Sequence, residues 1–488
     1  MDRLYEKYND KVMTAMQAAE LIEANMTLGC SGFTMVGYPK AVPEAIAKLG
    51  KAKNLTVLTG ASVGGALDGA LVQAGLMTRR YPYQTNKEMR GAVNSGKVLY
   101  ADQHLSETVA YLNHGLGPKI DVAIIECCAV TPNGLVPAAT VGNSETYVRL
   151  AEKVIVELNT TLPMELYGMH DIYSPSGMDG GPVPIFDVLD KVGTPFIPCP
   201  AEKIAAIVIT NEAGDCPTFK APDADSEAIA ANIVDFLKSE VAAGNQPAHL
   251  HPIQSGVGSV ANAVLSGLAK GGFEDLKMFT EVIQDSALNL IRDGLIIGAS
   301  CTSLSLSEEA QKELFDNIAY YRERVVIRPQ EVSNFPGLVR RMGLIAMNTP
   351  IECDIYGNVN STHIMGTKIM NGIGGSGDFA RNAGLSIFAT SSVAKGGAIS
   401  CVVPFCSHID HTEHDVQVIV TEQGVADLRW KAPRERAELI IENCAHPDYR
   451  PLLREYYREA LAGGGHTPHV LTKALSWHQR YLDTGSMK

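Results

Sequence analysis

Short apolar runs alternate along the chain with amphipathic or glycine-punctuated stretches. Residues 54–60, 121–126, 153–158 and 203–210 are apolar runs of strand length, and each reads as a buried strand. Thr14-Ala15-Met16-Gln17 is a capping-box pattern that starts a helix, which Gly29 can end. Residues 43–49 form a second short helix, with Pro43 at its first position and Gly50 just past its end. The cleanest helix is 225–244, where Ile229, Ile233, Phe236, Leu237 and Val241 make one apolar stripe. The same alternation continues beyond it. Helices are predicted over 257–268, 286–292, 305–318, 433–443 and 447–461, and strands over 277–285 and 324–328. A β-hairpin is expected over 351–364, turning at Tyr356-Gly357-Asn358, and a pair of strands over 401–421, joined by 407–415. Strands alternating with helices imply mostly parallel sheets, with ligands at the strand C-terminal ends. Linker-like composition over 217–225 and 244–252 divides the chain into two tandem open α/β domains, 1–222 and 223–488.

Within 277–285 the period-two pattern puts Phe279, Glu281 and Ile283 on one face, and Met278, Thr280 and Val282 on the other. Glu281 thus sits among apolar side chains near a strand end. An unpaired ionised carboxylate is costly there. Either a partner satisfies it structurally or the site uses a poised carboxylate.

Length and charge narrow the field. A chain of 488 residues has room for two or more cores, and its hydrophobic fraction of 45% is ordinary for a globular protein. A net charge of −13 without any basic run argues against nucleic acid. The charged start, Met1-Asp2-Arg3-Leu4-Tyr5-Glu6-Lys7, is not a signal peptide, and no apolar segment approaches the ~20 residues that span a bilayer. Ten scattered cysteines with no Cys-x-x-Cys pair read as reduced, buried thiols of a cytoplasmic protein.

The strongest local signal is Asn371-Gly372-Ile373-Gly374-Gly375-Ser376-Gly377-Asp378-Phe379, a glycine turn entering a helix over 372–383. Four glycines within residues 372–377 let backbone N–H groups approach a ligand closely. The stretch matches the Gly-x-Gly-x-x-Gly dinucleotide fingerprint. That fingerprint needs an acidic residue about 20 positions on, and none occurs between Asp378 and Asp410. An amide-lined turn for an oxyanion or thioester carbonyl fits better; the alternative is a tight structural turn. Gly256-Val257-Gly258-Ser259 is a second glycine-rich helix start that could supply another donor, or serve only as a helix start after Pro252. Glu422 stands at a strand end before a turn, as Glu281 does, and the two could flank one site or be unrelated. Asn334 is a loop amide able to hold a carboxylate or pantetheine, or a solvated turn residue. His408-x-x-His411-x-x-His414, with Asp410, Glu413 and Asp415, has metal-ligand residue types. Its imidazoles converge only if the loop is helical, and a polar hydrogen-bonded loop is the favoured reading; no metal is expected.

Taken together, Thr280-Glu281-Val282-Ile283-Gln284-Asp285, Ser255-Gly256-Val257-Gly258, Gly374-Gly375-Ser376-Gly377-Asp378-Phe379 and Asp410-His411-Thr412-Glu413-His414-Asp415 resemble the acetyl-CoA hydrolase/transferase family of class I CoA-transferases. The resemblance runs nearly end to end. It is nearest the branch of succinyl-CoA:acetate and propionyl-CoA:succinate CoA-transferases. It departs from that pattern at Gly258-Ser259, where relatives carry Gly-Asn.

The resemblance implies two open α/β domains with the active site at the interdomain cleft, usually in a homodimer. It makes Glu281 the nucleophile. The amides of Val257 and Gly375 form the oxyanion hole within the turn Gly374-Gly375-Ser376-Gly377, and Asn334, Glu422, Ser62 and Thr85 line the substrate site. Coenzyme A enters as a substrate, with acyl-CoA and small carboxylic acids as partners, and no bound cofactor is expected. The implied reaction is ping-pong exchange of CoA between acids through an acyl-glutamyl anhydride and a glutamyl-CoA thioester. The alternatives are a hydrolase using the same glutamate and a hydroxybutyrate- or butyryl-type transferase. A nicotinamide enzyme or a CoA-binding scaffold is a weaker rival.

Overall fold

The computed structural model describes residues 2–175, 181–256 and 258–488. It contains two compact units, Met1–Thr218 with Lys277–Leu338, and Phe219–Leu276 with Val339–Lys488.

The first unit is built on a nine-stranded sheet. Its parallel strands lie in the spatial order Leu99–Tyr100, Met77–Tyr81, Leu55–Leu58, Thr27–Cys30, Val122–Thr131, Lys153–Asn159 and Ile204–Thr210. Every residue of Val122–Thr131 is buried, which is why this strand reads as an apolar run broken only at Glu126 before its last residue rather than as an alternation. Gly134–Pro137 folds back antiparallel on its far half, and Ile197–Pro198 pairs onto that strand. The chain steps outward from Thr27–Cys30 to Leu99–Tyr100, then returns to the other flank of Thr27–Cys30 at Val122–Thr131. Strand order therefore reverses between these two strands, and a parallel sheet opens a crevice at such a switch point. Beyond their C-terminal ends, Phe33–Thr34 and Ala61–Ser62 form a short parallel pair.

Residues 277–338 complete this unit. The N–H groups of Val141, Leu304 and Gln330 donate to the carbonyls of Thr302, Ala139 and Gly142 at 2.9, 3.0 and 2.8 Å. The Gly142 N–H donates to Thr302 Oγ1 at 3.0 Å. These long-range bonds give partners to the backbone groups that the two stretches bring together. The compact units are thus discontinuous and do not follow the single cut at 222/223 expected from linker composition. The stretch carrying Glu281 packs with the N-terminal residues.

The second unit holds the parallel strands Ile253–Ser255, Ile345–Asn348, Leu385–Ala389 and Val418–Thr421, with Gly424–Asp427 antiparallel at the end. Phe388, Ile419, Leu428, Ile440, Tyr449 and Trp477 belong to its buried core, with helices Pro433–Asn443 and Arg450–Ala462 covering the sheet side.

Local departures from the expected elements have physical reasons. The capping box at Thr14 is formed, but its helix is only Ala15–Ala19, and Gly29 lies inside the strand Thr27–Cys30. The expected strand over 277–285 breaks in two. Leu276–Phe279 ends with Thr280 N–H bonding the Ser300 carbonyl, and Val282–Ile283 then pairs in parallel with Ser303–Leu304. The runs in 401–421 do not pair with each other. Val402–Val403 joins Glu352–Asp354, and Val418–Thr421 joins Leu385–Ala389. Within 351–364 the hairpin closes between Glu352–Asp354 and Val359–Asn360, while His363–Ile364 pairs onward with Lys368–Ile369. Among the described residues no helix is long and apolar enough to cross a membrane, and all ten cysteines are free.

Candidate active site

In the first unit, Glu281 occupies the kink between two strands of different sheets. Its carbonyl accepts from the N–H groups of Thr302 and Ser303 at 2.9 and 3.1 Å, which fixes the backbone. Its half-buried carboxylate accepts a hydrogen bond from Asn334 Nδ2 at 2.7 Å. Asn334 ends the short helix Gln330–Ser333, which follows Pro329. Its Oδ1 accepts from Ser333 Oγ at 2.8 Å. That bond aims the NH₂ end at the carboxylate; the flipped amide would set a carbonyl oxygen against it.

The helix itself is fixed by Gln330, whose N–H donates to Gly142 and whose Nε2 donates to the Leu105 carbonyl at 3.1 Å. Gly60 is packed so closely beneath it that an added Cβ would lie 2.7 Å from Gln330 Oε1 and 2.9 Å from the Gly32 carbonyl. One residue from Glu281, Val282 packs with Phe33, Ala61 and Leu105, and Tyr83 lies against them. A carboxylate beside an apolar wall, oriented by one amide, has the ingredients of a poised nucleophile or base.

Ser62 is fully buried, and its hydroxyl has no protein partner among the described residues. Its backbone is held from both sides: Thr59 Oγ1 accepts its N–H at 3.3 Å, and Arg80 Nη2 donates to its carbonyl at 2.9 Å. Arg80 is in turn paired with Asp68 at 2.8 and 3.1 Å, a buried two-pronged bridge that fixes the guanidinium. Thr85, on the loop after Met77–Tyr81, is half-buried, and its carbonyl accepts from Arg90 at 3.0 Å. Beside it, Gln84 is fully buried with neither amide atom partnered among the described residues. Nothing in its local pattern distinguishes it from an ordinary turn residue, so the sequence reading passed over it.

In the second unit, Gly374 takes φ of 58°, a left-handed conformation that a side chain resists. Gly375 is buried and its carbonyl accepts from Phe379 N–H at 3.1 Å. Among the described residues no backbone carbonyl outside the regular helices and strands takes its own N–H. An N–H in such a turn is able to meet a ligand oxygen. Ser376 and Gly377 open the short helix Ser376–Ala380. Ser376 Oγ donates to the Ile373 carbonyl at 2.9 Å, so at 3.0 Å it accepts from His411 Nε2–H. His411 is fully buried against Phe388.

Glu422 follows Val418–Thr421. Burial opposes its ionisation, but Gln423 Nε2 at 3.0 Å, Ser392 N–H at 2.8 Å and the Ser392 hydroxyl outweigh it. The carboxyl is held below its ordinary range. Ser392 had gone unnoticed because a serine after an apolar strand carries no special signal. Val257 lies outside the described residues.

The histidines of 408–414 do not converge. His411 serves Ser376, His414 is exposed beside Thr412, and His408 pairs with Asp410. A metal held by those three is therefore not built. The dinucleotide reading also lacks its context, because the glycine turn follows the hairpin strand Lys368–Ile369 and opens a helix of only five residues.

The family description for the acetyl-CoA hydrolase/transferase N-terminal domain matches residues 1–209, and that for the C-terminal domain matches 310–457. The chain is 52% identical to the succinyl-CoA:acetate CoA-transferase of Clostridium kluyveri, covering 99% of this chain and 91% of that one. It is 44% identical to the propanoyl-CoA:succinate CoA transferase of Escherichia coli, over 97% and 98%. It is 42% identical to the acetyl-CoA hydrolase of Schizosaccharomyces pombe, over 94% and 93%. Among solved structures, RipA from Yersinia pestis superposes with a TM-score of 0.71 at 21% identity, over 93% of this chain and 98% of that one. The 4-hydroxybutyrate CoA-transferase of Porphyromonas gingivalis superposes with 0.66 at 21%, over 93% and 99%. At that identity these two likenesses speak to the fold.

Proposed function

Because the chain belongs to the acetyl-CoA hydrolase/transferase family, and is an enzyme of that family, we propose that it moves CoA between a short-chain acyl-CoA and a carboxylic acid of the acetate, propionate or succinate type. The observation that carries this reading is the Glu281 carboxylate, held at 2.7 Å by an amide that Ser333 orients.

In this reading Glu281 attacks the thioester carbonyl. A tetrahedral oxyanion forms and collapses with loss of CoA thiolate, leaving an acyl-glutamyl anhydride. The thiolate then attacks the glutamyl carbonyl, the free acid departs, and a glutamyl-CoA thioester remains. A second carboxylate reverses both steps, so the kinetics are ping-pong. In this reading the N–H of Gly375 and the amide of Val257 serve as the oxyanion donors. Asn334 steadies the charge on Glu281 between steps. Ser62 and Thr85 contact the acid, and Glu422, kept ionised by Ser392 and Gln423, lines the CoA side. Homologues named acetyl-CoA hydrolase keep a second reading open, in which water replaces the acceptor acid.

Intact-mass measurement after incubation with acetyl-, propionyl- or succinyl-CoA, without acceptor, separates the readings. A CoA adduct on Glu281 that a carboxylate discharges is the expected result, absent from Glu281→Ala. Steady thiol release with no adduct would establish the hydrolase, and neither signal would remove Glu281 as nucleophile.

A further inference from the structure

His363, on the hairpin strand His363–Ile364, meets His408 of the loop that precedes Asp410. The two imidazole rings stand with centroids 3.8 Å apart and planes tilted by 34°. His408 Nε2 lies 3.0 Å from Asp410 Oδ1. One ring nitrogen from each histidine and one Asp410 oxygen all fall within 4.8 Å of one another.

The second ring of contacts is also in place. His363 Nδ1 lies 2.6 Å from Thr362 Oγ1, and Thr362 Oγ1 donates to Asp410 Oδ1 at 2.8 Å. The hydroxyl has one hydrogen, which goes to the carboxylate, so Nδ1 of His363 carries the proton and its Nε2 offers a lone pair. A ligating histidine that donates its other N–H to an outer oxygen is the arrangement that fixes tautomer and ring orientation in metal sites. Asp410 Oδ2 accepts the Ser361 N–H at 2.5 Å, which holds the carboxylate in place.

Stacked imidazoles gain little from each other in an apolar sense, and the pair stands beside a carboxylate that one of them already meets. Together the three are a good ligand set. Neighbouring donors around a tetrahedral ion stand about 3 Å apart, given metal–nitrogen and metal–oxygen distances near 2 Å, and the His408–Asp410 separation already has that value. We propose that His363, His408 and Asp410 form a site for a divalent transition-metal ion of the zinc type, with water completing four-coordination. Imidazole with one carboxylate favours Zn²⁺ over the oxygen-seeking Mg²⁺ and Ca²⁺. The His408 side chain is 39% exposed, so an ion has access from its side of the trio, while the Asp410 side chain lies beneath it at 4%. One residue beyond Asp410, His411 reaches Ser376 of the glycine turn, so a bound ion braces the loop from which that turn is held. The site takes no part in the carboxylate chemistry proposed for Glu281 and stands or falls independently of it.

The test is Zn²⁺ titration of the metal-free full-length protein by calorimetry, with bound zinc counted after dialysis. One ion per chain is expected. His363→Ala and His408→Ala should each weaken it by about tenfold or more, while His414→Ala, on the same loop but outside the trio, should leave it unchanged. Histidine acylation footprinting of the unmodified protein guards against variants that misfold: Zn²⁺ should protect His363 and His408 and leave His414 reactive. Equal binding by all variants, no stoichiometric zinc in the parent protein, or no protection of the pair would overturn the site.

Discussion

Glu331 stands next to the residues that orient Asn334, and its chemistry differs from theirs. Burial pushes its carboxyl up to about 8, and the Glu145 carboxylate pushes the same way, with Arg149 and Ser174 only partly offsetting them. Among the described residues its Oε1 has no hydrogen-bond partner. The folded protein therefore keeps a proton on Glu331 that the unfolded chain, with an ordinary glutamate near pH 4.3, releases. Stability is fully present below that ordinary value and is lost as pH rises towards about 8, with a slope of about 1.4 kcal/mol per pH unit from this one group. Glu331→Gln keeps the shape and removes the titration. Thermal melts between about pH 5 and pH 8 should show the variant gaining on the parent as pH rises; parallel curves would mean that Glu331 is ionised in the fold. None of this was visible in Gln330-Glu331-Val332, since a glutamate in a short polar helix reads as solvent-facing until the fold buries it to 4% exposure. Glu281 was legible for the opposite reason: its apolar neighbours in sequence already announced an environment hostile to charge.

The turn after Leu55–Leu58 and the helix Gln330–Ser333 touch through Gly60, and the contact has no slack. Gly60→Ala would press a methyl against Gln330 and against the Gly32 carbonyl, a backbone atom that cannot step aside. Overpacking of this kind costs about 1–3 kcal/mol. The expected result is a lower melting temperature and, because Gln330 carries Asn334, a turnover reduced more than KM is raised. Gly65→Ala, where an added Cβ meets nothing within 4 Å, is the control and should stay within about 0.5 kcal/mol of the parent. A Gly60→Ala enzyme with parental turnover would uncouple the helix from the site. At this scale the sequence was informative about strands, because runs such as Val122–Thr131 are buried on both faces and are apolar at every position but Glu126 and Thr131. It was less informative about connections. The break after Phe279 depends on Thr280 and Glu281 bonding to Ser300, Thr302 and Ser303, pairings that no local pattern encodes. The loop 407–415 shows the same limit: its histidine spacing was plain, but the partner that gives His408 a role, His363, comes from a different hairpin.

Over the whole chain, alternation of strand and helix was enough to establish parallel α/β architecture, and linker composition was not enough to say which stretch completes which core. The stretch 277–338 returns to the first unit through backbone bonds to Ala139, Val141 and Gly142, and through Val282 packing on Phe33, Ala61 and Leu105. A fragment of residues 1–222, the natural cut on sequence grounds, would leave those carbonyls, N–H groups and side chains exposed at the C-terminal rim of the sheet. Buried backbone polar groups without partners and an uncovered apolar patch both work against a cooperative fold. The fragment is expected to melt without a sharp transition and to expose Phe33 and Leu105 to exchange, whereas the full chain protects them. If the fragment instead melts cooperatively, with native-like protection around Phe33, the nine-stranded sheet is sufficient by itself, and 277–338 is an appendage that delivers Glu281 rather than part of the core that holds it.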